Sequence, residues 1–101
     1  MAGTGPPVSE LLPERPTLSN LRAAAASCRA CPLFEKGSQT VFGEGSSHAR
    51  VVLVGEQPGD REDREGHPFV GPAGAVLHQS LEAAGVDPNL AYLTNVVKHF
   101  N

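Results

Sequence analysis

The pattern of apolar and polar residues along the chain predicts two strands with a helix between them. The first strand is Val51–Val54, a continuous apolar, β-branched run of the kind buried on both faces of a parallel sheet, and it ends at Gly55. The second strand is Ala91–Asn95. Between the strands, Pro72 stands where a helix favours its first residue, and Gly85 closes the helix. The predicted apolar face of this helix consists of Ala73, Val76, Leu77, Leu81 and Ala84. Strand, loop, helix and strand in this order predict a βαβ unit of an α/β fold.

The chain before this unit is predicted to contain a leader and a helix. Residues 1–16 are rich in Gly and Pro and lack the basic and apolar regions of a signal peptide, so they read as a flexible leader without a membrane anchor. From Thr17 the apolar spacing is helical, with Thr17 or Ser19 as the cap, and this helix ends near Cys28. The pair Val41–Phe42 then predicts a brief strand or an ordered loop.

A group of acidic side chains follows the first strand directly. It comprises Glu56, Asp60, Glu62 and Asp63. Open α/β sheets place their ligand crevice at the carboxyl ends of the strands, so these carboxylates mark a candidate site. A solvated acidic surface loop is the alternative interpretation. Phe69, an aromatic residue in the same loop, is either a core residue or a flat face for a planar ligand.

Two cysteines at a CxxC spacing, Cys28 and Cys31, suggest a metal half-site. A disulfide is disfavoured because nothing in the sequence indicates secretion. A thioredoxin-type motif is disfavoured because a βαβ context does not surround the pair. Zinc or an iron-sulfur cluster needs four ligands, so two ligands would come from elsewhere.

Charge and length limit what this segment does alone. The chain of 101 residues carries a net charge of −3, and its eight Lys and Arg residues form no cluster, which argues against strong binding to DNA phosphates by this segment. Two clear strands are too few for a doubly wound sheet. Residues 17–101 are therefore predicted to be the N-terminal part of a larger α/β domain.

Three motifs of the chain resemble one family. The run GEQPGDREDREGHPFVGPAG at 55–74, with CRAC at 28–31 and YLTNVVKH at 92–99, closely resembles the iron-sulfur uracil-DNA glycosylases of family 4. The GEQPG and VKH spellings look like its X-type branch, which attaches covalently to the abasic product. The resemblance covers roughly residues 18–101. It implies a three-layer α/β/α fold with a parallel sheet, of which only the N-terminal part is present here.

The resemblance also implies roles for individual residues. Glu56 matches the carboxylate that acts near the glycosidic carbon, Gln57 contributes hydrogen-bond donors, and Asp60 shapes the catalytic loop. Phe69 matches the stacking face for a flipped-out base, and Asn95 matches the amide that pairs with the uracil edge. Gly55 and Gln57 complete the implied uracil-binding set, which is Gly55, Gln57, Phe69 and Asn95.

The resemblance makes the cysteine pair part of a 4Fe-4S site. Its ligands would be Cys28, Cys31 and His99, where most of the family has a third Cys, and the fourth ligand would be a Cys beyond Asn101. For His99 alone, an exposed surface position is the alternative. The implied partner is uracil-containing DNA, and the protein is expected to be a monomer of the bacterial cytoplasm without membrane attachment.

The later motifs of the family, a second His motif and the basic loop with the nucleophilic His of the X-type branch, do not occur before Asn101. The segment alone is therefore expected to be inactive. Three other interpretations remain: an ordinary hydrolytic family 4 enzyme, a non-catalytic metal- or nucleotide-binding α/β module, and a chain that ends naturally here as a remnant.

Overall fold

A three-stranded sheet organises the part of the chain that the computed structural model describes, residues 7–101. The helices are α1 (Val8–Leu11), α2 (Leu18–Ala26), α3 (Asp60–Glu65) and α4 (Pro72–Ala83), and the strands are β1 (Glu44–Gly45), β2 (Val51–Gly55) and β3 (Ala91–Asn95). Short 3₁₀ turns occur at Pro32–Phe34 and Pro88–Leu90. This mixture of helices and strands confirms the predicted α/β class.

The sheet places the central strand β3 between its two neighbours, in the order β1-β3-β2. Strands β2 and β3 are parallel, as predicted, and their register runs from Val51 opposite Ala91 to Gly55 opposite Asn95. Strand β1 pairs with β3 in the antiparallel direction, so the described sheet is mixed and not purely parallel. The parallel register brings the carboxyl ends of β2 and β3 to the same edge of the sheet.

The two parallel strands differ in burial, contrary to the sequence expectation for the first. Ala91, Tyr92 and Leu93 of β3 are buried. In β2, by contrast, Val52 is 56% and Val54 is 58% exposed, so the prediction that this run is buried on both faces is wrong for the described structure. The reason is the absence of a covering layer: Val52 and Val54 point to the same face of the sheet, and among residues 7–101 no element buries them there. A β-branched run specifies a strand, whereas the elements packed on its faces decide its burial.

The acidic run after β2 is the helix α3 and not a loop. Its six residues are DREDRE. The acidic residues Asp60, Glu62 and Asp63 lie in the first turn, where their negative charges interact favourably with the positive end of the helix dipole. Two i,i+4 ion pairs, Arg61–Glu65 and Arg64–Asp60, lie on its exposed side. The carboxylates Glu62 and Asp63 are instead buried, so the alternative of a wholly solvated loop is wrong.

Helix α2 is capped as the sequence predicts and is tied to the segment before β1. The Thr17 hydroxyl accepts from the Asn20 N–H at 3.1 Å, and the Asn20 side chain accepts from the Thr17 N–H at 2.7 Å. Arg22 donates to the Gly43 carbonyl at 2.7 Å, and its guanidinium carbon lies 5.3 Å from the centre of the Phe42 ring. The pair Val41–Phe42 is an ordered loop, and β1 begins only at Glu44.

Part of the predicted leader, residues 1–6, lies outside the described residues. In its remainder the structure has the one-turn helix α1. No helix within the described range 7–101 is long and apolar enough to cross a membrane.

Helix α4 begins at Pro72, as predicted, and packs closely on the loop before it. Gly74 is buried, and a Cβ at this position would overlap the carbonyl group of Phe69. Phe69 itself has a φ of +56°, in the left-handed region that bulky residues rarely adopt. The backbone of Phe69 therefore touches α4 where only glycine fits.

Replacing Gly74 by Ala is expected to lower the free energy of unfolding by about 1–3 kcal/mol or more, because the clash is with backbone that cannot rotate away. Urea denaturation measures this change. The matched control is Gly85→Ala: a Cβ there meets nothing within 4 Å and only its φ of +76° is unfavourable, so about 1 kcal/mol is expected. A loss for Gly74→Ala no larger than that of the control would contradict the close approach.

Candidate functional site

A cleft of about 650 Å³ opens at the carboxyl ends of β2 and β3. We call it the strand-end cleft. Gln57, Asp60, Phe69, Asn95 and the first turn of α4 line it. Its place agrees with the rule that ligands bind open α/β sheets at this edge. Four of the residues predicted for the site from the sequence therefore border one cavity.

Asn95 is a buried polar residue of this cleft. It is 4% exposed, and within the described structure its carboxamide makes no hydrogen bond to protein. Its backbone is held firmly, because the Asn95 carbonyl accepts from Lys98 Nζ and the Val96 N–H donates to the Gly55 carbonyl at 2.9 Å. The amide keeps one donor group and one acceptor available to a ligand.

Gly55, Phe69 and Asn95 meet at the floor of the cleft. A Cβ at Gly55 would overlap Asn95 Oδ1 and would lie 3.0 Å from Phe69 Cζ. The absence of a side chain at Gly55 thus leaves room for the amide and the ring to stand side by side. The structure brings together three of the four residues predicted to bind uracil, with Gln57 on the lining of the same cleft.

The residues predicted to be catalytic lie further out. Gln57 and Asp60 are exposed residues on the lining, and Asp60 Oδ2 pairs with Arg64 Nη2 at 3.0 Å. Glu56 is exposed and does not line the cleft. Its carbonyl accepts from the Val97 N–H at 3.0 Å, which continues the ladder of β2 and β3 by one residue. The Glu56 side chain therefore begins one residue beyond the end of β2 and lies in solvent.

Glu62 is the residue whose place in the site the sequence analysis missed. Its Oε1 accepts from the Gly59 N–H at 2.9 Å, and its Oε2 accepts from the N–H groups of Val70 and Gly71 at 2.9 and 2.6 Å. Gly59 and Gly71 precede α3 and α4, so one carboxylate caps both helices. A sequence signal existed: Glu at the third helical position is the carboxylate half of a capping box.

The environment of Glu62 affects its pKa in two opposing ways. Burial favours the neutral acid and raises the pKa, but the hydrogen bonds from the N–H groups of Gly71, Gly59 and Val70 favour the carboxylate. The hydrogen bonds outweigh burial, so the pKa of Glu62 lies below its ordinary value. Glu62 is therefore ionised at neutral pH.

Asp63 ties α3 to the segment after the cysteines. Its Oδ1 accepts from the N–H groups of Ser38 and Gln39 at 2.7 and 3.3 Å, and Gln39 Nε2 donates to the Asp63 carbonyl at 2.8 Å. Adjacent carboxylates of one short helix thus hold two different loops.

A second cavity, of about 370 Å³, is bordered by the two cysteines and His99. We call it the cysteine cavity. The rest of its lining is mostly apolar and includes Leu21, Phe42 and Val97. Both thiols are free. The structure brings the three predicted ligands to one cavity, yet within residues 7–101 it contains no group of three His, Cys, Asp or Glu residues close enough to hold a metal ion.

His99 is held in one orientation beside this cavity. Its Nε2 lies 3.1 Å from Thr40 Oγ1, and the Thr40 hydroxyl donates to the Ala25 carbonyl at 3.0 Å. Because the hydroxyl has one proton, Nε2 must donate to it, which leaves Nδ1 as the free lone pair. Burial lowers the pKa of His99 although the charge of Asp63 opposes this, so the neutral imidazole that binds metals is favoured.

Comparison with known proteins identifies relatives of the chain. The model of the uracil DNA glycosylase superfamily matches residues 42–101. The chain is 41% identical over 83 residues to the type-4 uracil-DNA glycosylase of Sulfurisphaera tokodaii, which covers 81% of this chain and 38% of that protein. Identity to the type-4 enzyme of Thermotoga maritima is 46% over 71 residues, covering 70% and 37%. Identity to that of Pyrobaculum aerophilum is 42% over 81 residues, covering 80% and 41%. The chain thus spans about two fifths of the length of these curated relatives.

Replacing Glu62 by Gln is expected to lower the free energy of unfolding by about 1–3 kcal/mol at neutral pH, because a buried N–H loses its acceptor. Since folding lowers the pKa of Glu62, the carboxylate's contribution is complete above the pKa of an unfolded glutamate and is lost as the pH falls through the folded-state value. The difference between the parent protein and Glu62→Gln should therefore shrink on acidification.

Urea denaturation at several pH values measures this difference. The control is Glu65→Gln in the same helix, whose exposed pair with Arg61 is expected to contribute at most about 0.5 kcal/mol. A difference between the parent and Glu62→Gln that stays constant down to about pH 3 would show that the carboxylate form is not what the fold stabilises.

Proposed function

Because the chain belongs to the uracil DNA glycosylase superfamily, we propose that the full-length protein removes uracil from DNA by cleaving its N-glycosidic bond. The observation that supports this proposal best is the carboxamide of the buried residue Asn95, which is without a protein partner among the described residues and stands beside the Phe69 ring in the strand-end cleft. The type-4 relatives that match the chain carry this activity in their names.

The cleft suits a planar base with neighbouring donor and acceptor atoms. In this proposal a flipped-out uracil stacks on Phe69, and its N3–H and O4 pair with the carboxamide oxygen and nitrogen of Asn95. Cytosine presents an amino group and an unprotonated ring nitrogen at the same places, so it would leave the buried amide unpaired. Because Gly55 has no side chain, it leaves room for the Phe69 ring and the Asn95 amide to lie next to each other.

The bond to be broken develops positive charge on the sugar and negative charge on uracil. We assign the stabilisation of the sugar to the Glu56 carboxylate, which is exposed and directly follows the end of β2, where the cleft opens. Gln57 supplies donors to the departing base, and Asp60, on the first turn of α3, shapes the loop between them. These three assignments extend the residue matches to the family.

We further propose that the product stays covalently attached to the protein, as in the X-type branch. The GEQPG spelling at 55–59 and His99 in place of a third Cys support this finer assignment. The nucleophile would come from outside the described cleft. Residues 17–101 are proposed to be the N-terminal part of the catalytic domain, since the relatives are more than twice as long as the matched region. The expectation of a cytoplasmic, monomeric enzyme belongs to the same proposal.

We propose Cys28, Cys31 and His99 as three ligands of a 4Fe-4S cluster. The donor chemistry fits: two free thiols and an imidazole with a free Nδ1 border the cysteine cavity. When bound, the cluster would supply cross-links between the segment after α2 and the end of β3. These residues bind and position; the bond cleavage is assigned to the other cavity.

Changing Glu56 to Gln in the full-length protein is expected to reduce uracil release by at least about 100-fold with the fold retained, because an amide cannot offset the charge developing on the sugar. To measure uracil release, a uracil-containing oligonucleotide is incubated with the protein, its abasic sites are cleaved with alkali, and the cleaved strand is quantified on a denaturing gel. Glu82→Gln, on the exposed side of α4, is the matched control with unchanged activity. Unchanged uracil release by Glu56→Gln would contradict the proposal that Glu56 stabilises the charge on the sugar.

Changing Cys31 to Ser is expected to abolish iron binding in the full-length protein purified without oxygen, since one thiolate ligand is lost. Iron content and the visible absorption of the cluster measure this. The parent protein should contain about four iron atoms per chain, the stoichiometry of the proposed cluster. A parent protein free of iron, or a variant with full iron content, would contradict the ligand assignment.

The covalent attachment is tested with the same parent protein. Incubation with uracil-containing DNA followed by a denaturing gel distinguishes a covalent adduct from a released abasic product.

A further inference from the structure

We propose that Glu62 is a positioning residue of the strand-end cleft: by bridging the first peptides of α3 and α4, its carboxylate holds Phe69 in the backbone conformation that presents its ring beside Asn95. The inference deepens the proposed function and rests on it for the identity of the base, but the bridge itself is a property of the unliganded protein.

The bridge joins two segments that lack side-chain caps of their own. The residues before α3 and α4 are Gly59 and Gly71, which have no side chain to accept from the free N–H groups of a helix start. Glu62 instead accepts from the N–H groups of Gly59 and Gly71 themselves, one with each carboxylate oxygen. The starts of the two helices are therefore fixed relative to each other by one side chain.

The carboxylate has little freedom to move. It belongs to a residue only 9% exposed. A Cβ at Gly59 would lie 2.7 Å from Oε1, and a Cβ at Gly71 would lie 3.0 Å from Oε2. Glycines on both sides thus allow the backbone to approach the carboxylate closely enough for hydrogen bonds of 2.6–2.9 Å. An alanine at Gly59 would push Oε1 from the position it occupies, and an alanine at Gly71 would require Oε2 to shift by a few tenths of an ångström.

Two contacts of the backbone at Phe69 hold this residue in place. The N–H groups of the next two residues, Val70 and Gly71, are bound to Glu62 Oε2. Its own carbonyl is packed against Gly74 of α4. A left-handed aromatic residue, with a φ of +56°, is unfavourable by itself and persists only where its surroundings hold it. The hydrogen bonds to Glu62 and the contact with α4 are the surroundings that do so.

Glu62 acts through Phe69 because its carboxylate is already engaged. Oε1 has one backbone donor and Oε2 has two. Glu62 also borders the strand-end cleft, but both of its oxygens are bound to peptide N–H groups, whereas the Asn95 amide on the same lining has no protein partner among the described residues. This division separates Glu62, which sets geometry, from the residues assigned to contact the base.

The first test is a double-mutant cycle between Glu62→Gln and Phe69→Ala in the full-length protein, read as KM and kcat for a uracil-containing oligonucleotide. Each single change is expected to raise KM by about 10- to 100-fold, the effect of losing base–aromatic stacking, with a smaller change in kcat. If Glu62 acts through Phe69, the double variant behaves like Phe69→Ala alone. Effects that multiply would overturn the proposal.

Gly59→Ala is the second variant, for the case in which Glu62→Gln does not fold. Its added methyl group would lie 2.7 Å from Oε1 and displaces the carboxylate while the charge remains, so the same rise in KM is expected. A normal KM in folded Gly59→Ala would contradict the bridge. Glu82→Gln on α4 is again the control, with KM unchanged.

Amide hydrogen exchange of the unliganded protein separates this inference from the proposed function. The N–H groups of Gly59, Val70 and Gly71 are expected to exchange slowly in the parent protein and at least about tenfold faster in Glu62→Gln. Fast exchange in the parent would overturn the positioning role even if uracil is released normally. If the parent protein exchanges slowly, Glu62→Gln exchanges faster, and the parent protein releases no uracil, then the bridge is supported and the proposed function is contradicted.

Discussion

The hydrogen bonds of one buried carboxylate hold the described site in shape. Glu62 accepts from Gly59, Val70 and Gly71, so the turn after β2 and the turn before α4 meet on a single side chain. Without it, three backbone N–H groups near the core would lack a partner in the described structure, and burial of unpaired polar groups is costly. The closeness of Phe69 to Asn95, and hence the floor of the cleft, depends on this bridge.

The same short helix connects the two cavities of the structure. Glu62 faces the turn that carries Phe69, and its neighbour Asp63 binds the N–H groups of Ser38 and Gln39, next to Thr40 and His99. Helix α3 has too few residues to be stable by itself in water. Its stability comes from contacts on both sides, which means that the cleft and the cysteine cavity are supported by a common element.

Several features of the fold and site could be predicted from local sequence. Strands β2 and β3, the start of α4 at Pro72 and the cap at Thr17 appear as expected, since each rests on residues near in sequence. The parallel pairing of the two strands, forty residues apart, could be expected from the helix that connects them. Parallel pairing then places Gly55 beside Asn95, and so part of the site could be anticipated. Helix α3 could not, because DREDRE has no apolar face and its stability depends on hydrogen bonds to residues up to 25 positions away. The exposure of Val52 and Val54 could not either, because burial depends on which neighbours a strand has.

The sequence by itself therefore determined the α/β class, the family, the elements whose signals are local, and the residue types available for chemistry. Only the tertiary structure decided which of those residues meet. It placed Phe69 and Asn95 together across Gly55, left Glu56 in solvent, and gave Glu62 a bridging role. The physical reason is that hydrogen bonds and burial depend on distances in space, and a φ of +56° at Phe69 is unfavourable locally and is held only by the packed structure around it.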